Sequence, residues 1–138
     1  INAPSNFSGA LTLSGNNVFL AGGAQNFADG SVISGRLNLS GAAATFGSTT
    51  VNGLINYTAG SLGIGAGDTL TAAGGLNWAT GNAISGPGTL AIPTGQTLAM
   101  TTIADRVLDN ARLDNAGTIS SAMGSRNAGT LRGTTARR

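Results

Sequence analysis

Ser8-Gly9-Ala10-Leu11-Thr12-Leu13-Ser14-Gly15 returns as Ser34-Gly35-Arg36-Leu37-Asn38-Leu39-Ser40-Gly41, with six of eight positions identical. Its apolar pair continues in Ala59-Gly60-Ser61-Leu62-Gly63-Ile64 and in Ser85-Gly86-Pro87-Gly88-Thr89-Leu90-Ala91-Ile92. Leu11 and Leu37 are 26 positions apart, Leu37 and Leu62 are 25, and Leu62 and Leu90 are 28. A nearly constant interval of this size marks a repeat architecture. Alternation such as Leu11-Thr12-Leu13 sends successive side chains to opposite faces of a strand, one of which must be inside.

A second apolar cluster follows each first one: Val18 to Leu20, Ala44 to Phe46, Thr69 to Thr71 and Thr97 to Met100. A third contains Phe27, then Val51 with Leu54, Leu76 with Trp78, and Ile103 with Val107. Each repeat therefore reads as three short strands separated by Gly, Ser, Asn or Asp turns. An antiparallel sandwich would supply short strands but no reason for the pattern to recur in phase. A parallel β-solenoid does, because its coils stack at the strand spacing and superimpose equivalent side chains. The expectation is an all-β parallel β-solenoid of about five coils of roughly 26 residues, with Leu11, Leu37, Leu62 and Leu90 in one interior column and Leu13, Leu39, Ile64 and Ile92 beside them.

Composition narrows the function. The chain has 138 residues, 9% of them charged, with 23 glycines and neither cysteine nor histidine. Every basic residue is arginine and every acidic one aspartate. Without His, Cys, Lys or Glu, most general bases, nucleophiles and transition-metal ligands are missing, so the expectation is no enzyme, no cofactor and no metal. Residues 1–104 carry one arginine and two aspartates, too few cations to neutralise many phosphates, which argues against nucleic acid as a partner. No apolar run approaches the length of a membrane span.

The pattern divides the chain into an N-terminal lead-in (1–7), regular coils (8–104) and a degenerate, Arg-rich end (105–138). In the last part Leu108-Asp109-Asn110-Ala111 repeats at once as Leu113-Asp114-Asn115-Ala116. Ile103, Val107 and Ala111 could share a helix face. The tandem unit more readily gives a further coil with an asparagine stack.

Ile84-Ser85-Gly86-Pro87-Gly88-Thr89-Leu90, Ile92-Pro93-Thr94-Gly95-Gln96-Thr97-Leu98 and Leu113-Asp114-Asn115-Ala116-Gly117-Thr118-Ile119 resemble the repeats of filamentous-haemagglutinin-like and autotransporter-passenger proteins of bacteria. The resemblance covers residues 8–131. It implies a right-handed parallel β-helix, extracellular or displayed on the cell surface as part of a longer stalk with a structural or adhesive role. Neither end shows an obvious cap, so end-to-end self-association or continuation into a longer chain is expected.

Candidate sites are few. Gly63-Ile64-Gly65-Ala66-Gly67-Asp68-Thr69-Leu70 has the form of one calcium-binding nonapeptide, but such sites draw oxygens from consecutive turns and only one copy is present, so a glycine corner is expected. It also lacks the Gly-Lys-Ser/Thr ending of a phosphate loop. Asp29 and Asp68 stand isolated in the sequence, and Asp109 with Arg112 reads as a solvated pair. Arg126, Arg132, Arg137 and Arg138 are candidates for edge gatekeepers or for contact with an acidic surface. Tyr57 and Trp78 could stack on a glycan, though corner or core filling is the commoner use of such residues. Thr45, Thr69 or Thr71, and Thr97 could form an outward ice-binding column; ordinary strand propensity explains them equally. A glycan- or ice-binding β-helix is thus the alternative to a scaffold.

If Leu62 lies in the bore, Leu62→Asp should cost several kcal/mol by burying an unpaired carboxylate. Urea denaturation of the variant beside the parent measures this; a loss no greater than that of an exposed substitution would place Leu62 outside.

Overall fold

The computed structural model describes residues 1–102 and 106–121, and the backbone of 131–137. These residues form sixteen strands of one sheet, from Ser5–Asn6 to Leu131–Arg137, and contain no helix. Every strand pairing is parallel. The chain is a β-solenoid whose coil has three faces.

The first face carries Asn17–Leu20, the start of Arg36–Phe46, the start of Ile55–Ile64, Leu76–Trp78, Thr97–Met100 and Thr118–Ser121. The second carries Ser5–Asn6, Ala24–Phe27, the later parts of Arg36–Phe46 and Ile55–Ile64, Ile84–Ser85 and the start of Arg106–Asn115. The third carries Thr12–Leu13, Ser31–Ile33, Thr49–Val51, Thr69–Ala72, Thr89–Ile92 and the end of Arg106–Asn115. Leu131–Arg137 extends the second and third faces.

Side chains stack in columns inside this frame. Val18, Leu37, Ile55, Leu76, Leu98 and Ile119 are successive partners on the first face, and Leu20, Leu39, Tyr57, Trp78 and Met100 run beside them. The second face contributes Ala44, Leu62, Ile84 and Leu108, with Phe27 stacked on Phe46 at 5.0 Å between ring centroids. The third contributes Leu70, Leu90 and Leu113, flanked by Ile33, Val51, Ala72 and Ile92. All are buried except Val18 and Ile119, which are half-buried because each ends its column.

The coil is shorter than the sequence interval implies. Successive partners from Leu20 to Ser121 are 18 to 22 residues apart, and the first face has six strands. The expected column of Leu11, Leu37, Leu62 and Leu90 does not form: Leu37 lies on the first face, Leu62 on the second, and Leu11 and Leu90 on the third. Their companions are distributed in the same way. All eight point inward, however, and 79 residues separate Leu11 from Leu90, which is four coils. The 26-residue motif thus advances one turn and one face at each return, because between Leu11 and Leu90 a face and its corner occupy five to eight residues and four such steps fill the interval.

Corners take up the differences. At Gly60 the backbone has φ +88°, and a Cβ would stand 2.2 Å from the Ala42 carbonyl oxygen of the preceding coil, so only glycine fits. Asn110, with φ 58°, makes the corner within Arg106–Asn115; asparagine tolerates this region better than most residues. Residues 106–115 are therefore strand, not helix, because their apolar positions meet Ile84 and Leu90 in register. The tandem Leu-Asp-Asn-Ala units occupy two adjacent faces of one coil, so no asparagine stack arises there. Asn115 is instead buried and tied to the Gly117 backbone in both directions, at 3.3 and 3.2 Å.

Leu76→Ala, in mid-column between Ile55 and Leu98, should lower the unfolding free energy by about 2–5 kcal/mol. Val18→Ala, at the half-buried end of the same column, should cost distinctly less. Urea melts of both variants check the order, and equal losses would contradict the column.

Candidate functional site

Tyr57 and Trp78 do not reach the surface. Both are fully buried neighbours in the first-face column, and neither offers a ring to a glycan. The bore accepts them because their polar ends find backbone carbonyls. The Tyr57 hydroxyl shares its one proton between the Ala83 carbonyl at 2.9 Å and the Gly60 carbonyl at 3.3 Å, and Trp78 Nε1 donates to the Asn82 carbonyl at 3.1 Å. Burial pushes the Tyr57 phenol up to about 12, against a weaker opposing backbone hydrogen bond.

Arg106 is also fully buried. Its Nε and Nη2 donate to the Trp78 carbonyl at 3.1 and 2.8 Å, and Nη2 reaches the Thr102 carbonyl and hydroxyl at 3.2 and 2.7 Å. The guanidinium carbon lies 5.9 Å from the centroid of the Trp78 ring, within cation–π range. Burial draws its pKa down. Of the four arginines expected at the surface, Arg126 and Arg138 lie outside the described residues. Arg132 and Arg137 fall in the last strand, opposite Val107 and Asp114.

The outward columns carry the polar display. On the first face Phe19, Asn38, Asn56 and Asn77 follow one another. Asn56 Nδ2 donates to Asn38 Oδ1 at 3.4 Å, Asn77 Nδ2 to Asn56 Oδ1 at 2.8 Å, and the Thr101 hydroxyl closes the ladder on Asn77 Oδ1 at 2.8 Å. Asn38-Leu39-Ser40 and Asn56-Tyr57-Thr58 have the form of N-glycosylation tripeptides, and here the Asn38 and Asn56 amides bind neighbouring coils. The threonines expected in one ice-binding column fall on different faces: Thr45 on the second, Thr69 and Thr71 on the third, Thr97 on the first. Thr50 does stack on Thr71, and Thr69 on Thr89, but Val32 and Ala91 interrupt the Thr50 column on either side.

The glycine corner at Gly65-Ala66-Gly67-Asp68 forms as expected, with Asp68 N–H donating to the Gly65 carbonyl at 3.0 Å. Asp68 is not isolated there. Ser48 N–H donates to Asp29 Oδ1 at 2.9 Å, and the Ser48 hydroxyl donates to Asp68 Oδ1 at 3.3 Å. Two carboxylates from alternate coils thus meet on one serine between them. A Cβ on Gly47 would stand 2.5 Å from Asp29 Oδ1, and one on Gly65 2.4 Å from Asp68 Oδ2, so the glycines leave room for the pair. Partial burial, and then the facing Asp29 carboxylate, hold the Asp68 carboxyl above its ordinary value. Among the described residues no three potential metal-ligating His, Cys, Asp or Glu side chains cluster, and no helix is long and apolar enough to cross a membrane.

At the N-terminal end of the solenoid, Ile1 begins a further layer. Its amino group donates to the Phe19 carbonyl, and its own carbonyl accepts from Ala21 N–H at 2.9 Å. Gln25 Nε2 holds the lead-in through the Ala3 carbonyl at 2.7 Å. The only exposed large hydrophobics among the described residues are here, Phe19 at 56% and Ile1 at 41%. No family model, curated protein or solved structure matches the chain.

Asn56→Ala removes the middle of the amide ladder and should cost about 1 kcal/mol, read by urea denaturation. A neutral result would make the ladder decoration.

Proposed function

We propose that this chain is a structural or adhesive segment of a bacterial cell-surface or extracellular β-helical protein of the filamentous-haemagglutinin-like or autotransporter-passenger kind, acting as a stiff scaffold without catalysis. The observation that carries this reading is the unbroken first-face register from Val18 to Ile119, which joins six coils into one hydrogen-bonded rod. Neighbouring strands in such a rod are locked at about 4.8 Å, so bending it requires ladder hydrogen bonds to stretch together. Its outward columns hold asparagine, serine and threonine, which suit display in water. The exposed Phe19 and Ile1 side chains at the N-terminal end support end-to-end self-association or continuation of the same coil pattern.

A glycan- or ice-binding reading has a narrower base. It rests on the Thr50–Thr71 and Thr69–Thr89 pairs of the third face, a hydroxyl patch bounded by Val32 and Ala91. The aromatic rings that would grip a sugar lie in the bore instead.

Antibody raised against the folded chain should label intact cells of the source organism, and protease added to those cells should remove the label. Labelling that appears only after the cells are permeabilised would overturn the surface assignment.

A further inference from the structure

The Asp29–Ser48–Asp68 corner has a chemistry the scaffold role does not use. Its three residues come from consecutive coils at the turn from the second to the third face, and Ser48 addresses both neighbours: its N–H holds Asp29, and its hydroxyl holds Asp68. The same hydroxyl oxygen accepts from Thr69 N–H at 3.2 Å. One serine therefore pins the backbone of the fourth coil and the carboxylates of the second and fourth.

Among the described residues, the surroundings show the two carboxylates no neighbouring cation. The first coil presents Ala10 to this corner, the third Gly47 with Ser48, and the fifth Pro87 with Gly88. Among the described residues, the cation that follows along the third face is Arg112, two coils below Thr69 in the column Thr69–Thr89–Arg112. Two like charges this close raise each other's energy when both are ionised. A single proton between them replaces repulsion with a charge-assisted O–H···O⁻ hydrogen bond.

We infer that Asp29 and Asp68 are a proton-sharing clasp across Ser48 that draws the second, third and fourth coils together as the pH falls. The proton comes from solvent and resides on the Asp68 carboxyl, which donates to the Asp29 carboxylate, while Ser48 keeps both in place. Because the folded state holds Asp68 above its ordinary value of 3.8, the clasp stabilises the fold fully below that value and releases as the pH rises through the raised one. This is opposite in sign to a carboxylate paired with a base.

The chain makes the test clean, since it contains no His, Lys or Glu. Between about pH 4 and pH 6 the side chains that titrate are aspartates alone. Thermal melts in EDTA should show the parent gaining a few degrees on acidification across this range. Asp68→Asn and Asp29→Asn, which keep the shape of the corner, should lose most of that gain, and Asp68→Asn should melt above the parent at neutral pH. Carboxyl ¹³C NMR of the folded chain should place the Asp68 midpoint above the ordinary aspartate value, and Asp29→Asn should bring it down. An Asp68 midpoint at the ordinary value, or an undiminished gain in both variants, would overturn the clasp.

Discussion

Each coil is hydrogen-bonded in parallel to the next, and that constraint governs every other feature. Parallel pairing leaves no freedom in what lies above what: a side chain shares its column with its partners in the coils before and after, at the strand spacing. An interior column must then be apolar throughout or bring its own hydrogen-bond partners. Leu and Ile meet the first condition from Leu37 to Leu98, while Tyr57 and Trp78 meet the second through the carbonyls of Ala83 and Asn82. On the outside the same constraint turns three asparagines into a ladder, because each amide finds its counterpart at hydrogen-bond distance.

The parallel solenoid was legible because period-two alternation and an in-phase return are both written in the chain. The inward direction of Leu37, Leu62 and Leu90 was legible for the same reason, whereas the three strands assigned to each 26-residue repeat are four, because Ser31–Ile33 in the first repeat and the start of Ile55–Ile64 in the second are strands of their own. The coil length was not. Nothing in Ser8–Gly15 and Ser34–Gly41 reveals that two similar segments occupy different faces, since all three faces are built alike, from Leu-x-Leu or its equivalents beside a small corner residue. A motif reused on every face repeats at any whole number of face-steps, and the identities happened to be strongest at four.

The error in period hid the acidic corner. Asp29, Ser48 and Asp68 are 19 and 20 positions apart, so a reading in 20-residue coils places them side by side, whereas one in 26-residue coils scatters them. It also decided the aromatics. Tyr57 and Trp78 are 21 positions apart, one coil, and fall in the same interior column as Leu39 and Met100. Arg106 carried no such signal. An arginine next to an aspartate reads as surface, and its burial depends on the carbonyls of Trp78 and Thr102, which only the folded chain brings to it.

Unequal corners on equal faces have a consequence for how such a chain can change. Leu62 to Leu70 spans eight residues where Ala44 to Thr49, one coil earlier at the same corner, spans five, yet the columns on either side remain in register. The added length has gone outward into Gly65-Ala66-Gly67. Lengthening a surface loop costs only about 0.6 kcal/mol per doubling, whereas one residue inserted within a strand would turn its inward side chains to solvent. Insertions can therefore accumulate along the corner seams while the walls stay fixed in length, and a lineage of such rods can acquire new surface loops without redesigning its interior.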